Sequence, residues 1–291
     1  MKNAWHQRSL PPNKPVDASV VHVLRLLDPI AHDTGCAYFV AGATARDLIL
    51  VNVHGLRPGR ATRDIDFGIA VGSWDEFALL KDRLIATGGF AAHPRMAQRM
   101  IFVEHAAGLS VPIDLIPFRG VESPDTKVAW PPSRDVVLNV AGFEEALASS
   151  VSIEIEEGLA VRVASVPGLM LLKLIAWMER GHQGNKDASD LYRLLTSYAD
   201  AGNTDRLYDR EMDLLESYGF DIELAGAELL GRDVAGICSA PVLDQVRSLI
   251  SSDANLERLV EQMVQTSTYA ERLPFVNRMV AAFRRGLLKN V

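Results

Sequence analysis

Short runs with alternating or continuous apolar positions occupy the first half of the chain, and helical spacing takes over in the second. Behind Asp17, the apolar residues Val20, Val21, Val23, Leu24 and Leu27 recur at helical spacing, so 17–31 reads as a helix capped by Asp17. "CAYFVAG" (36–42) reads as a buried strand entering a Gly turn, and "TARDLIL" (44–50) as a helix start with Thr44 as cap. A loop (54–62) leads to the strand "TRDIDFGIAV" (62–71). "SWDE" (73–76) has the form of a capping box and opens a helix to about Ala86. Strands follow at 99–105 and 111–118 around a turn at Gly108, and 151–165 alternates cleanly about Glu157-Gly158 as a second hairpin. Between these, 119–150 carries Pro124, Pro131 and Pro132 and shows no clear period.

After Pro167 nearly everything reads as helix: 168–180, 187–199, about 207–217, then on to "FVNRMVAAFRRGLL". The pattern predicts an α/β (α+β) protein, with a mixed β-sheet and flanking helices over 1–165 and an all-helical domain over 166–291. Residues 1–15, polar and Pro-containing, read as a loose arm.

Composition adds limits rather than identity. The chain has 291 residues, 48% hydrophobic and 23% charged, an ordinary globular balance. A formal net charge of -7 argues against a general nucleic-acid binder, so contact with RNA would need a local basic patch. Two cysteines, Cys36 and Cys238, give neither a disulfide framework nor a zinc spacing, which suits a reducing cytoplasm. The N-terminus lacks a signal-peptide core, and the longest apolar run is broken by Lys173, so no membrane span is expected.

The strand at 62–71 carries two acids where acids are disfavoured, Asp64 and Asp66. Residues two apart share a face, so both carboxylates point one way while Ile65, Phe67 and Ile69 fill the other. Asp114 repeats the anomaly inside "PIDLIPF". Three convergent carboxylates are an oxygen-ligand set for Mg²⁺ or Mn²⁺, and such ions suit in-line attack on a phosphate. The plainer alternative pairs these acids with Arg63, Arg46 or Arg99. Upstream, "VAGATARD" puts a Gly turn before a helix start, an anion cradle to which Arg46 adds charge. Downstream, Lys173, Trp177 and Arg180 share one helix face, and Asp187 and Asp190 lie at i, i+3 on the next helix. Trp177 is either core or a base-stacking platform.

Gly42, Asp64, Asp66 and Asp114, in that order, resemble the signature of the DNA polymerase β-like nucleotidyltransferase superfamily. "GATARD" resembles the turn of tRNA CCA-adding enzymes. "RDIDF" followed by "KLIAWMER" and "KDASDLYRLL" resembles most the AbiEii-type nucleotidyltransferase toxins. The resemblance implies Mg²⁺-dependent transfer of NMP from an NTP to an acceptor hydroxyl on RNA, protein or a small molecule. It also implies an antitoxin partner; a catalytically inactive binding relative is the alternative. By this likeness Asp64, Asp66, Asp114 and Lys173 are catalytic. Gly42, Ala43, Arg46, Arg180, Asp187 and Asp190 meet the nucleotide. Ala43 departs from the Ser or Gly of many members, which removes a hydroxyl and leaves the backbone donors.

Overall fold

A computed structural model describes residues 8–10, 15–60, 62–104, 108–264 and 269–289. Most of the arm expected at 1–15 lies outside the described residues. By internal contacts the chain divides into two compact units, Met1–Ser165 and Val166–Val291.

Among the described residues the first unit is built on ten strands and four α-helices. In chain order they are β1 (Arg8–Ser9), α1 (Ala18–Asp33), β2 (Ala37–Ala41), α2 (Gly42–Asp47), β3 (Ile65–Val71) and α3 (Trp74–Ala86). There follow β4 (Phe90–Ala92), β5 (Arg99–Glu104), β6 (Leu109–Arg119), β7 (Lys127–Ala129) and β8 (Val137–Asn139). The unit ends with α4 (Phe143–Ala148), β9 (Val151–Glu156) and β10 (Leu159–Val163). Eight strands form one mixed sheet in the order β1-β9-β10-β2-β3-β6-β5-β4, while β7 and β8 pair separately within the stretch that showed no period.

The sheet is covered where it passes under the helices. Ile65, Phe67 and Ile69 are buried on one face, as the alternation required. There the Tyr38 and Phe67 rings meet edge-on at 6.0 Å, and the Tyr38 hydroxyl donates to Asp28 of α1 at 2.8 Å. On the other face Phe39, Phe118 and Phe143 cluster beneath Gly68, where a Cβ would lie 2.3 Å from the Phe39 ring. The acids of β3 therefore project beyond an aromatic floor.

Local signals account for most helix starts. Asp17 accepts the Ser19 N–H at 2.8 Å, and Ser73 accepts the Glu76 N–H at 3.2 Å. Glu76 reaches the N–H of Gly72 rather than that of Ser73 (2.6 Å), one residue outside a standard capping box. The helix after the Gly turn begins at Gly42, two residues before the expected start, and continues as π-helix over Leu48–Val53. Thr44 is thus not its cap; its hydroxyl points to the Asp64 carbonyl at 3.4 Å.

The second unit is all-helical: α5 (Val166–Arg180), α6 (Lys186–Ser197), α7 (Thr204–Asp209), α8 (Met212–Ser217), α9 (Ile222–Ile237), α10 (Ala240–Ser251), α11 (Asp253–Val264) and α12 (Tyr269–Leu288). The single helix expected near 207–217 is two short ones. Helices α9 and α12 cross closely, because Gly286 leaves room for the Glu228 carbonyl, 2.0 Å from where a Cβ would stand. No helix among the described residues is long and apolar enough to cross a membrane.

Candidate active site

Register, more than sequence spacing, builds the site. Strand β3 pairs with β2 on one side and with β6 on the other, and β6 pairs with β5. In these registers Ala41 stands opposite Asp66, Asp66 opposite Asp114, and Asp114 opposite Arg99. One row across four strands thus carries two carboxylates side by side, a Gly turn leaving one flank and an arginine on the other. Directly opposed residues share a face at close range. Asp64 lies just ahead of β3, two residues before Asp66, with Thr62 donating a hydrogen bond to its carboxylate.

Asp64, Asp66 and Asp114 each offer an oxygen within 4.8 Å of the others. All three remain partly accessible. Three hard oxygen donors converging from one side, with space left for water and phosphate oxygens, fit Mg²⁺ or Mn²⁺. Arg99, among the partners weighed from sequence, is also present. Its Nε donates to Asp114 Oδ1 at 2.7 Å and its Nη2 to Oδ2 at 2.6 Å. The same Nη2 lies 3.7 Å from Asp64 Oδ2. The hydrogen bond to Asp114 holds the guanidinium above its ordinary pKa against the opposing effect of burial, and the charges of Asp114, Asp64 and Asp66 add to it.

Gly42 explains itself in this geometry. Its φ of +62° lies in the left-handed region, and a Cβ there would stand 1.8 Å from Asp66 Oδ2. The glycine lets the turn close against the carboxylate. Gly42→Ala is expected to cost about 1–3 kcal/mol through backbone strain and to push Asp66 off the row. Chemical denaturation and Mn²⁺ binding measured together check this; unchanged stability with unchanged metal affinity would refute it.

Arg46, expected to lend charge to the turn, is instead buried and held by Asp47, with Nε to Oδ1 at 2.9 Å. Its Nη2 also donates to the Arg60 carbonyl at 3.1 Å. Ala43 is buried as well, so the turn presents backbone. A cavity of about 590 Å³ opens beside Asp64, bordered by Thr44, Asn52, Thr62 and Arg63. That is the size of a small-ligand pocket.

The remaining expected site residues lie in the second unit and form a compact charge cluster. Lys173 Nζ meets Asp187 Oδ1 at 3.0 Å and Asp190 Oδ2 at 2.7 Å. Arg180 Nε donates to Asp187 Oδ2 at 2.8 Å. The Lys173 side chain is only 13% exposed, because α6 packs its two acids onto it. Burial pulls the Lys173 ammonium down, but Asp190 and Asp187 outweigh it and the group stands above the ordinary lysine value. Burial raises Asp187, and Arg180 and Lys173 overcome that and hold it below the usual carboxylate range. Neither acid caps α6, whose first residue is Lys186. Trp177 is fully buried, so it is core and not a platform; its indole N–H donates to Gln262 at 2.6 Å and Arg258 stacks 4.5 Å over its ring.

Sequence reasoning missed two things. Arg99 was seen only as one pairing choice among three, and the cross-strand row was not foreseen.

The model of the nucleotidyl transferase AbiEii toxin family, a type IV toxin–antitoxin system, matches residues 25–275. No curated protein matches the chain. Among solved structures, an antigenic nucleotidyltransferase-like protein from Paracoccidioides brasiliensis is similar at 15% identity, covering 70% of this chain and 93% of its own, with a TM-score of 0.42. JHP933 from Helicobacter pylori is similar at 14% identity, covering 94% of both chains, with a TM-score of 0.40. ANT(2")-Ia in complex with adenylyl-2"-tobramycin is similar at 15% identity, covering 72% and 96%, with a TM-score of 0.38.

Proposed function

The chain belongs to the AbiEii nucleotidyltransferase family, and from that premise we propose that it transfers NMP from an NTP to an acceptor hydroxyl with a divalent ion at Asp64, Asp66 and Asp114. The observation that carries this reading is the row that sets Asp66 beside Asp114, with Gly42 pressed against Asp66. Three carboxylates gathered on one face repel one another, and a divalent cation would offset that repulsion. A bound Mg²⁺ or Mn²⁺ would neutralise charge on the phosphates and favour the ionised acceptor oxygen.

The chain's own groups then have distinct tasks. Asp64, fixed by Thr62 just ahead of β3, and Asp66, against the Gly42 turn, would hold the ion from one side. Asp114 would supply the third oxygen from the neighbouring strand. Backbone N–H groups at the start of α2 face the phosphates, with Arg46 fastening the turn from behind through Asp47 and the Arg60 carbonyl. The acceptor hydroxyl gives up its proton to solvent as its oxygen attacks the α-phosphorus, the bond from that phosphorus to the oxygen bridging to the β-phosphate breaks, and pyrophosphate leaves with that oxygen.

The test is transfer from each α-labelled NTP, with Mg²⁺ or Mn²⁺, into total RNA, lysate protein and small-molecule fractions. Label should enter one acceptor class, release pyrophosphate, and stop with EDTA. Label that persists undiminished in EDTA would refute the metal reading, and no transfer to any fraction would refute the activity.

A further inference from the structure

The acid row contains its own cation. Arg99 sits one strand from Asp114, directly opposite it, and one fork takes both Asp114 oxygens at 2.7 and 2.6 Å. The guanidinium reaches past Asp114 toward Asp64, at 3.7 Å. Both partners are largely shielded, with side chains 23% and 15% exposed, and a bidentate pair of this kind is stronger than an ordinary surface pair. Arg99 thus relieves part of the repulsion among the three gathered carboxylates. Sterically it stands on the arm that a divalent cation would need.

Resting on the reading that the triad holds a divalent ion, we propose that Arg99 is a built-in counter-ion on Asp114, and that metal loading proceeds by exchange. The guanidinium occupies both oxygens of Asp114, and the ion would displace it. Arg99 is therefore a positioning residue: it sets how much metal is needed to fill the site. No bond is made or broken beyond the ion pair and the coordination contacts. The exchange follows from the fork, because a carboxylate with both oxygens on a guanidinium offers less to a second cation, and two cations on the same arm repel.

The two roles that an arginine here could have predict opposite signs. A purely structural arginine would leave metal affinity weakened when removed, because the carboxylates would splay. A competing counter-ion leaves it strengthened. The experiment is Mn²⁺ titration of the full chain, read as free Mn²⁺ by EPR, on the wild type, Arg99→Gln, Arg99→Lys and the Asp64→Asn/Asp66→Asn double variant. Arg99→Gln is expected to bind Mn²⁺ at least tenfold more tightly than wild type. Arg99→Lys, which keeps the charge but loses the fork, should fall between, and the double variant should lose the site. In EDTA, Arg99→Gln should melt below wild type, and its rise on adding Mn²⁺ should exceed the wild-type rise.

Equal or weaker Mn²⁺ binding by Arg99→Gln, with binding still lost in the double variant, overturns the counter-ion inference and leaves the metal site standing. Binding that no aspartate substitution affects overturns the metal reading and this inference with it. Should Arg99→Gln not fold, Arg99→Lys decides: affinity no higher than wild type overturns the exchange.

Discussion

Asp66→Asn is expected to lower nucleotidyl transfer roughly 10³-fold, about 4 kcal/mol in the transition state, with the fold intact. Asp66 is the residue on which the site's geometry converges. It stands between Ala41 and Asp114 in the row, and the Gly42 turn closes against its carboxylate. The amide keeps the shape, so the turn and the strand register have no reason to move. What changes is charge: one of three carboxylates goes, and the amide presents an N–H₂ donor where an oxygen lone pair is needed. Stability should respond in the opposite direction from activity. Removing one negative charge from a crowded triad relieves repulsion, so in EDTA the variant should melt at or slightly above wild type. A transfer assay beside a melt in EDTA checks both. Transfer above a tenth of wild type would mean that Asp66 is not a ligand.

The acids were legible because they broke a local rule. An Asp in a buried strand is conspicuous, and the period of two assigns it a face without any knowledge of the fold. What could not be read locally is which strands are neighbours. Strands β3 and β6 run parallel with β4 and β5 lying between them in sequence, so the Asp66–Asp114 pairing is set by topology and register. Arg99 belongs to the same class: only the β5–β6 hairpin register makes it the partner of Asp114. The start of α2 was misplaced because Thr44 is a favoured cap residue, whereas Gly42, already at positive φ, begins the helix with no side-chain cap. The stretch 119–150 resisted reading because its elements are short: two three-residue strands and a six-residue helix are below the length at which a period shows.

Lys173 carries the second large effect, on stability. From sequence it shares a helix face with Trp177 and Arg180, and a helical period cannot reveal that the next helix brings two acids onto that face. In the structure Lys173 bridges Asp187 and Asp190, whose side chains are 6% and 9% exposed. Lys173→Ala would leave Asp190 without that partner while Asp187 keeps Arg180. Breaking a buried pair from one side costs about 3–5 kcal/mol, because a buried charge loses its ammonium partner. Adding Asp190→Asn to Lys173→Ala should recover a good part of the loss, since the carboxylate charge that Lys173 balanced is then gone as well. The pH dependence gives an independent check. Asp187 is held low, so its contribution is present above the unfolded carboxylate value of about 3.9 and disappears as pH falls through its lower folded value. Lys173 is held high, so its contribution is present below about 10.4 and disappears as pH rises through its higher folded value. The gap between wild type and Lys173→Ala should therefore be widest across the neutral range and narrow at both extremes, as urea unfolding over a pH series would show. A gap below 1 kcal/mol at pH 7 would mean that water or another group takes over the acids. Transfer assayed at matched folded fraction then separates the two roles of the lysine: a loss that exceeds the loss of folded protein assigns Lys173 to the chemistry, and activity in proportion to folded protein assigns it to the scaffold.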